Sequence, residues 1–415
     1  MSAQDDTRSL GLGTQDRGRD STELGSVERG QSPQTKPKSH IASLDGLRGI
    51  AVLLVLLFHF SWSFPEQSHV QVILKRYFWS GWIGVDLFFV LSGYLITRGL
   101  VKDSAYSTGK RLKLFWARRA FRIFPLYYIV LIVGTIACLA LGFREHVPGA
   151  GYWLYFQNYT LAFDPMHLRW TAHFWSLAIE EQFYFVWPLV VLLAAANRRP
   201  KVALGLFFFC VTLRTGLILG LPKVHSLGWD QEQIAKFVYR ATPTHMDGLL
   251  MGALLAMISE AKDHPWMVSW RKIRKPAFYV GLLMLLGVVV WTKGFGTYDR
   301  RAMLIGYPLM AVVFTAAVSL AAEGEFPAAF QNVLTRGIFP ACGKVSYGMY
   351  IFHWVLVILV ADWQEKFTAD KPPAVAFGVG AAVILVGMLV TYVIAVLSFR
   401  FVETPFLKLK EKFHD

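Results

Sequence analysis

An all-α polytopic membrane bundle of about ten transmembrane helices, with both termini on the cytoplasmic side, is the fold that this sequence predicts. Three observations point to it. Of 415 residues, 54% are hydrophobic and only 17% charged, against roughly 25% charged in soluble domains. Lipid-facing surface needs no charge, so the deficit fits a membrane protein. Apolar stretches recur near residues 43–63, 79–99, 122–143, 174–196, 202–220, 240–259, 277–292, 302–322, 338–361 and 374–399. Each is close to the ~20 residues that cross a ~30 Å hydrocarbon core at ~1.5 Å per residue. Finally, 29 of the 42 Lys and Arg residues fall in connections on the expected cytoplasmic side and 12 on the other, with Arg214 inside a helix. That bias is the positive-inside asymmetry and sets the orientation.

The same asymmetry accounts for a formal charge of +14. In a soluble protein such a charge would suggest nucleic acid, but no nucleic-acid-binding module is present and no such partner is expected. Cys138, Cys210 and Cys342 lie in or beside apolar runs. They have no metal-ligand spacing and form no disulfide framework, so no metal site is expected. Residues 1–40, rich in Ser, Gly, Gln, Asp and Arg, cannot bury enough apolar surface to offset chain entropy and read as a disordered cytoplasmic tail. The membrane domain is expected over 41–406 and a basic cytoplasmic tail over 407–415. No signal-peptide pattern opens the chain, so the first helix is expected to act as an uncleaved anchor in the plasma (inner) membrane.

Ionisable side chains in hydrocarbon cost several kcal/mol and mark functional sites by default. In the first expected helix, Asp45 and Arg48 stand three residues apart and can pair on one face. His59 follows eleven residues after Arg48, about 16 Å deeper at helical rise. This places it near mid-bilayer, where a neutral imidazole is tolerated and can exchange a proton. A histidine that merely packs against a neighbouring helix would look the same.

The second helix carries Asp86, a buried carboxylate that could orient His59 or cap a broken helix. Its glycines allow close helix approach. In the third, Arg118 is ordinary positive-inside anchoring. Arg119 and Arg122, three apart, put two guanidinium forks on one face, suited to phosphate or carboxylate. Pro125 suggests a kink or break that opens a cavity beside them.

Between the third and fourth helices, residues 144–173 form an amphipathic, aromatic-rich connection that could re-enter the interface. The fourth helix holds Glu180, Glu181 and Tyr184. Adjacent glutamates point about 100° apart, so one at most faces a given site. In the ninth, His353 beside Trp354 is either a site residue or part of an aromatic belt. Glu403 beside Arg400 reads as an anchoring ion pair. Arg214, His245 and Asp247 are further candidates for the same cavity.

Taken in order, LDGLRGI followed by FH, GVDLFFVLSGYLIT, RAFRIFPLYY, WSLAIEEQFY and GKVSYGMYIFHW resemble the acyltransferase-three family of integral-membrane O-acyltransferases over about residues 40–406. The resemblance implies a ten-helix membrane domain that moves an acyl group, commonly acetyl, from acyl-coenzyme A on the cytoplasmic side to a hydroxyl of a glycan or other acceptor. The donor is a co-substrate, with no permanently bound cofactor. It gives His59 the role of essential base and Arg119 with Arg122 that of the donor-binding pair, and it favours Glu180 over Glu181. Asp86 or Glu180 would hold the His59 tautomer. Arg48, Glu181, Tyr184 and His353 are candidates to line the cavity. Many relatives append an extracellular hydrolase-like domain, so the end of this chain at Asp415 implies transfer within the membrane domain itself. The rival classes are a transporter or flippase using the same buried charges, and a non-catalytic membrane scaffold.

Overall fold

The computed structural model describes residues 41–102, 106–164, 169–220, 228–260 and 263–411. The tail expected over 1–40 lies outside them, as does the end of the one expected over 407–415. Among the described residues every regular element is helical, and nine helices are long and apolar enough to cross a membrane. The main helices are α1 (Ala42–Phe60), α2 (Ile83–Lys102), α3 (Thr108–Ala140), α4 (Trp175–Leu193) and α5 (Arg199–Leu219). They continue with α6 (Asp247–Glu260), α7 (Pro265–Trp291), α8 (Tyr307–Glu323), α9 (Ser346–Thr368) and α10 (Pro373–Ser398).

Burial separates an inner group from an outer one. α1, α2 and α8 are mostly enclosed, whereas α3, α5, α7 and α10 are mostly open to their surroundings. The open faces are apolar: Ile132, Val133 and Ile136 on α3, Leu283 and Leu286 on α7, Leu385 and Leu389 on α10. Soluble monomers rarely expose apolar patches beyond a few hundred Å². A bundle that does so on four long helices has lipid as its solvent, and the chain is a multi-pass membrane protein.

Several elements depart from the expected spans. The stretch 240–259 is not one continuous helix. A helix over Gln231–Arg240 ends at Ala241, a single turn over Thr242–His245 follows, and α6 then runs for 14 residues, about 21 Å at helical rise. Pro243, with no N–H and a fixed φ, suits the first turn of a new helix better than the middle of an old one. The stretch 338–361 is likewise divided, into a short helix over Ile338–Lys344 and α9. Pro125, by contrast, breaks nothing, and α3 runs 33 residues through it. A membrane bundle tolerates such a proline because neighbouring groups re-satisfy the freed carbonyl. Glu403 is buried and lies against Gly348 instead of pairing with Arg400, whose guanidinium sits 5.6 Å over the Phe401 ring.

Close backbone approach holds the inner helices together. A Cβ on Gly93 of α2 would collide with the Leu249 backbone of α6, and one on Gly252 of α6 would collide with the Val90 backbone of α2. Small residues at such a crossing let van der Waals packing replace the hydrophobic drive that lipid removes. The connection 144–173 folds into two short helices, Ala150–Trp153 and Gln157–Phe163, and a 3₁₀ turn over Arg169–Phe174. Its aromatic residues anchor it to α3: the Tyr127 hydroxyl donates to the Tyr152 carbonyl at 2.7 Å, and Tyr155 stacks on Tyr127 at 4.4 Å between centroids.

Candidate active site

Five of the long helices, α1, α2, α3, α4 and α9, converge on one cavity of about 90 Å³. Direct hydrogen bonds fix their relative positions. The Trp187 indole of α4 donates to Thr97 of α2 at 2.8 Å, the Trp116 indole of α3 to the Tyr184 carbonyl of α4 at 3.2 Å, and the Tyr347 hydroxyl of α9 to the Ile123 carbonyl of α3 at 2.8 Å. With α1 closing the remaining side, each helix then delivers its polar residues to the same space.

Arg48 enters from α1, with Asp45 3.7 Å away on the same face as the i, i+3 spacing implied. Ser92 comes from α2, Arg119 and Arg122 from α3, Ser176, Glu180 and Tyr184 from α4, and Tyr350 from α9. The Arg119 guanidinium lies between the Phe115 and Tyr184 rings, 5.8 and 5.6 Å from their centroids. Such stacking holds the planar fork in place. The Ser92 and Tyr184 hydroxyls bond to each other, and Glu180 faces both.

Glu181 does not line the cavity. One residue on from Glu180 it turns about 100° away, toward the tyrosines Tyr127, Tyr155 and Tyr347. Its buried Oε1 has no hydrogen-bond partner. Three guanidinium groups and one carboxylate line the chamber, with Asp45 beside Arg48.

Beyond this chamber lies a cluster of three histidines. At the chamber's far end, the Tyr350 hydroxyl meets Ser176 Oγ at 2.5 Å and donates to the His173 carbonyl at 2.7 Å. One helical turn past Tyr350 comes His353, and three residues before Ser176 comes His173. Their rings are 4.9 Å apart between centroids. His353 Nε2 lies 3.1 Å from Nδ1 of His59, whose ring also meets Trp354 edge-on at 4.8 Å. His173 and His353 are buried and His59 is half-buried. Among the described residues no group of His, Cys, Asp or Glu is arranged to hold a metal ion.

The structure thus brings Arg48, Arg119, Arg122, Glu180 and Tyr184 into one chamber. It places His59 and His353 in the adjoining layer. His59 is the penultimate residue of α1, so it lies near the far end of that helix and not midway along it. Asp86 is elsewhere. It does not orient His59, because it faces the turn before α6, where its Oδ1 is 3.1 Å from His245 Nε2. Next to it the buried Arg214 and Asp247 pair at 2.8 Å. These four residues form a separate ionic cluster, outside the cavity lining. His173, Tyr350, Ser176 and Ser92 were not singled out from the sequence. The signal available for Tyr350 was its spacing of three from both Tyr347 and His353, which puts all three on one helix face.

Comparison with known proteins gives the family of the chain. A family model for an acyltransferase domain matches residues 41–396. The chain belongs to that family. It is similar to the peptidoglycan O-acetyltransferase OatA of Listeria monocytogenes, with 29% identity over 395 residues, 89% of this chain and 56% of that protein. It is also similar to the O-acetyltransferase OatA of Staphylococcus aureus strain NCTC 8325, with 25% identity over 402 residues, 94% of this chain and 60% of the relative. The chain therefore spans somewhat under two thirds of the length of these relatives. The family match covers α1 through most of α10, and so all the helices that wall the chamber. No solved structure matches the chain.

Proposed function

We propose that this acyltransferase-family protein is an O-acetyltransferase that moves an acetyl group from acetyl-coenzyme A to a hydroxyl of a cell-envelope carbohydrate, with His59 as the base. The observation that carries the reading is the junction at Tyr350 and Ser176, where a cationic chamber built for an anionic ligand adjoins a hydrogen-bonded histidine. The relatives are O-acetyltransferases, which supports the acetyl group, and the peptidoglycan named for the Listeria protein supports a glycan.

Size divides the donor between two environments. A cavity of about 90 Å³ has room for roughly three waters at ~30 Å³ each, enough for an acetyl thioester tip but not for a nucleotide. The adenosine phosphates would stay at the mouth, where Arg48, Arg119 and Arg122 offer charge-assisted, bidentate hydrogen bonds. Under the orientation set by the Lys and Arg bias this mouth opens to the cytoplasm, and the protein resides in the plasma membrane.

In the transfer, His59 Nε2 takes the acceptor hydroxyl proton as its oxygen attacks the thioester carbonyl. The new C–O bond forms, the C–S bond breaks, and the coenzyme A thiolate leaves with the proton returned by the imidazolium. Glu180 offsets the chamber's positive charge and holds the Tyr184 and Ser92 hydroxyls. General-base help of about 10²–10⁴ together with positioning is a reasonable demand on such a site. The test is release of coenzyme A by the purified full chain given acetyl-coenzyme A and soluble peptidoglycan fragments, beside His59→Ala. Acetylated fragments from the wild type and none from the variant are expected; near-normal turnover by the variant would end the proposal.

A further inference from the structure

His353 has no part in the transfer as just written, yet both its ring nitrogens are engaged. Nδ1 lies 2.7 Å from the Tyr350 carbonyl oxygen and Nε2 lies 3.1 Å from His59 Nδ1, and the side chain is fully enclosed. These contacts determine where the protons sit. A carbonyl oxygen only accepts, so His353 Nδ1 carries a hydrogen. A neutral imidazole has one N–H, so its Nε2 presents a lone pair. That lone pair faces His59 Nδ1, which is also 3.0 Å from the Val55 carbonyl oxygen. Both neighbours of His59 Nδ1 are acceptors, so this nitrogen must be the donor. The other nitrogen, His59 Nε2, keeps its lone pair.

We propose that His353 is a positioning residue that locks His59 in the Nδ1–H tautomer and thereby leaves Nε2 free as the base. The inference rests on the reading of His59 as that base. The Val55 carbonyl, which also takes the His59 backbone N–H in the helix ladder, is a second acceptor at this nitrogen, and the His353 lone pair reinforces it with a partner from another helix. The Nε2 lone pair of His353 has no competing donor among its hydrogen bonds. When Nε2 of His59 takes the proton, the resulting imidazolium directs its Nδ1–H at a neutral acceptor, a charge-assisted bond that strengthens as charge develops. His353 thus has the part that the orienting third group has in hydrolytic triads, but without a negative charge. The surroundings hold its ring: the Tyr350 carbonyl takes the Nδ1 hydrogen, and the His173 ring meets it in a T-shaped contact at 4.9 Å between centroids.

Two substitutions separate the lock from mere packing. A glutamine amide oxygen can reach the position of a histidine Nε2, whereas an asparagine reaches only that of Nδ1. With acetyl-coenzyme A and soluble peptidoglycan fragments as probes, His353→Gln is expected to keep kcat within about threefold of wild type. His353→Asn is expected to lose roughly tenfold to a hundredfold in kcat, within the scale of general-base help, with the KM for acetyl-coenzyme A and the thermal midpoint unchanged. Equal kcat for wild type and His353→Asn would overturn the proposal, as would equal losses in both variants.

Nitrogen-15 spectra of histidine-labelled wild-type protein give a second measurement, independent of the His353 variants. The resonances removed by His59→Ala should be those of an Nδ1–H tautomer; finding Nε2–H there refutes the assignment. If His59→Ala keeps its turnover, the base reading itself fails. If only that variant is inactive and His353→Asn is not, the failure belongs to His353 alone.

Discussion

Replacing Arg119 by glutamine removes one guanidinium from the chamber while keeping a polar side chain of similar reach. The wild-type group is held between Phe115 and Tyr184, 5.8 and 5.6 Å from their centroids, so it meets an incoming phosphate already oriented. A hydrogen bond to a charged group contributes about 1.5–3 kcal/mol. At about 1.4 kcal/mol per factor of ten, its loss corresponds to a roughly 10- to 150-fold weaker hold on the donor. Arg119→Lys should fall between, because it keeps the charge but loses the planar fork and the stacking. Coenzyme A binding to the purified protein, measured by calorimetry at two salt concentrations, gives the dissociation constants. Weaker binding by Arg119→Gln with a shallower salt dependence is the expected outcome. An unchanged dissociation constant would refute the assignment of this chamber to the donor's phosphates.

Other consequences test separate parts of the structure. Asp247→Leu takes from Arg214, which is fully enclosed, the carboxylate it pairs with at 2.8 Å. A cost of about 3–5 kcal/mol should appear as a clearly lowered thermal midpoint in detergent, and an unchanged midpoint would show that the pair is not structural. Gly252→Leu should prevent α6 from seating on α2, since even a Cβ there meets the Val90 backbone. The expected result is loss of monodisperse protein on size-exclusion chromatography, whereas Gly205→Leu, with open space around it, should elute as wild type. Glu180→Gln should lower acetyl transfer by more than about tenfold, within the range of catalytic-group effects, while Glu181→Gln, turned away from the chamber, should keep turnover within a few-fold.

The sequence carried the architecture because lipid leaves a coarse imprint: a span of about twenty apolar residues and a surplus of Lys and Arg on one side. The nine long helices follow from that imprint and helical spacing puts Arg119 beside Arg122, whereas the grouping of that pair with Glu180 in one site was implied only by the family resemblance. Where it misled, contacts between distant segments decided. Asp86 and His59 looked like partners because both are buried and polar, but the turn at Thr242–His245, more than 150 residues on from Asp86, puts His245 against the carboxylate. The division of 240–259 and 338–361 into shorter helices depends on tertiary packing that hydropathy averages away. His173 was unremarkable in sequence because it falls at the end of the connection 144–173, outside the expected spans. Its place beside His353 comes from the tie between Tyr350 and the 3₁₀ turn that carries it.

In the proposed transfer, the thioester end of the donor reaches His59 past Tyr350 and Ser176 while its phosphates stay on the arginines. A structure of the full chain with a non-hydrolysable thioether analogue of acetyl-coenzyme A bound in a lipid nanodisc tests this most directly. The account requires density with phosphates at Arg119 and Arg122 and the acyl carbon close enough to His59 Nε2 for a hydroxyl to fit between them. An analogue bound on the opposite side of the Tyr350–Ser176 junction from the arginines, or one whose acyl carbon points away from His59, would contradict it.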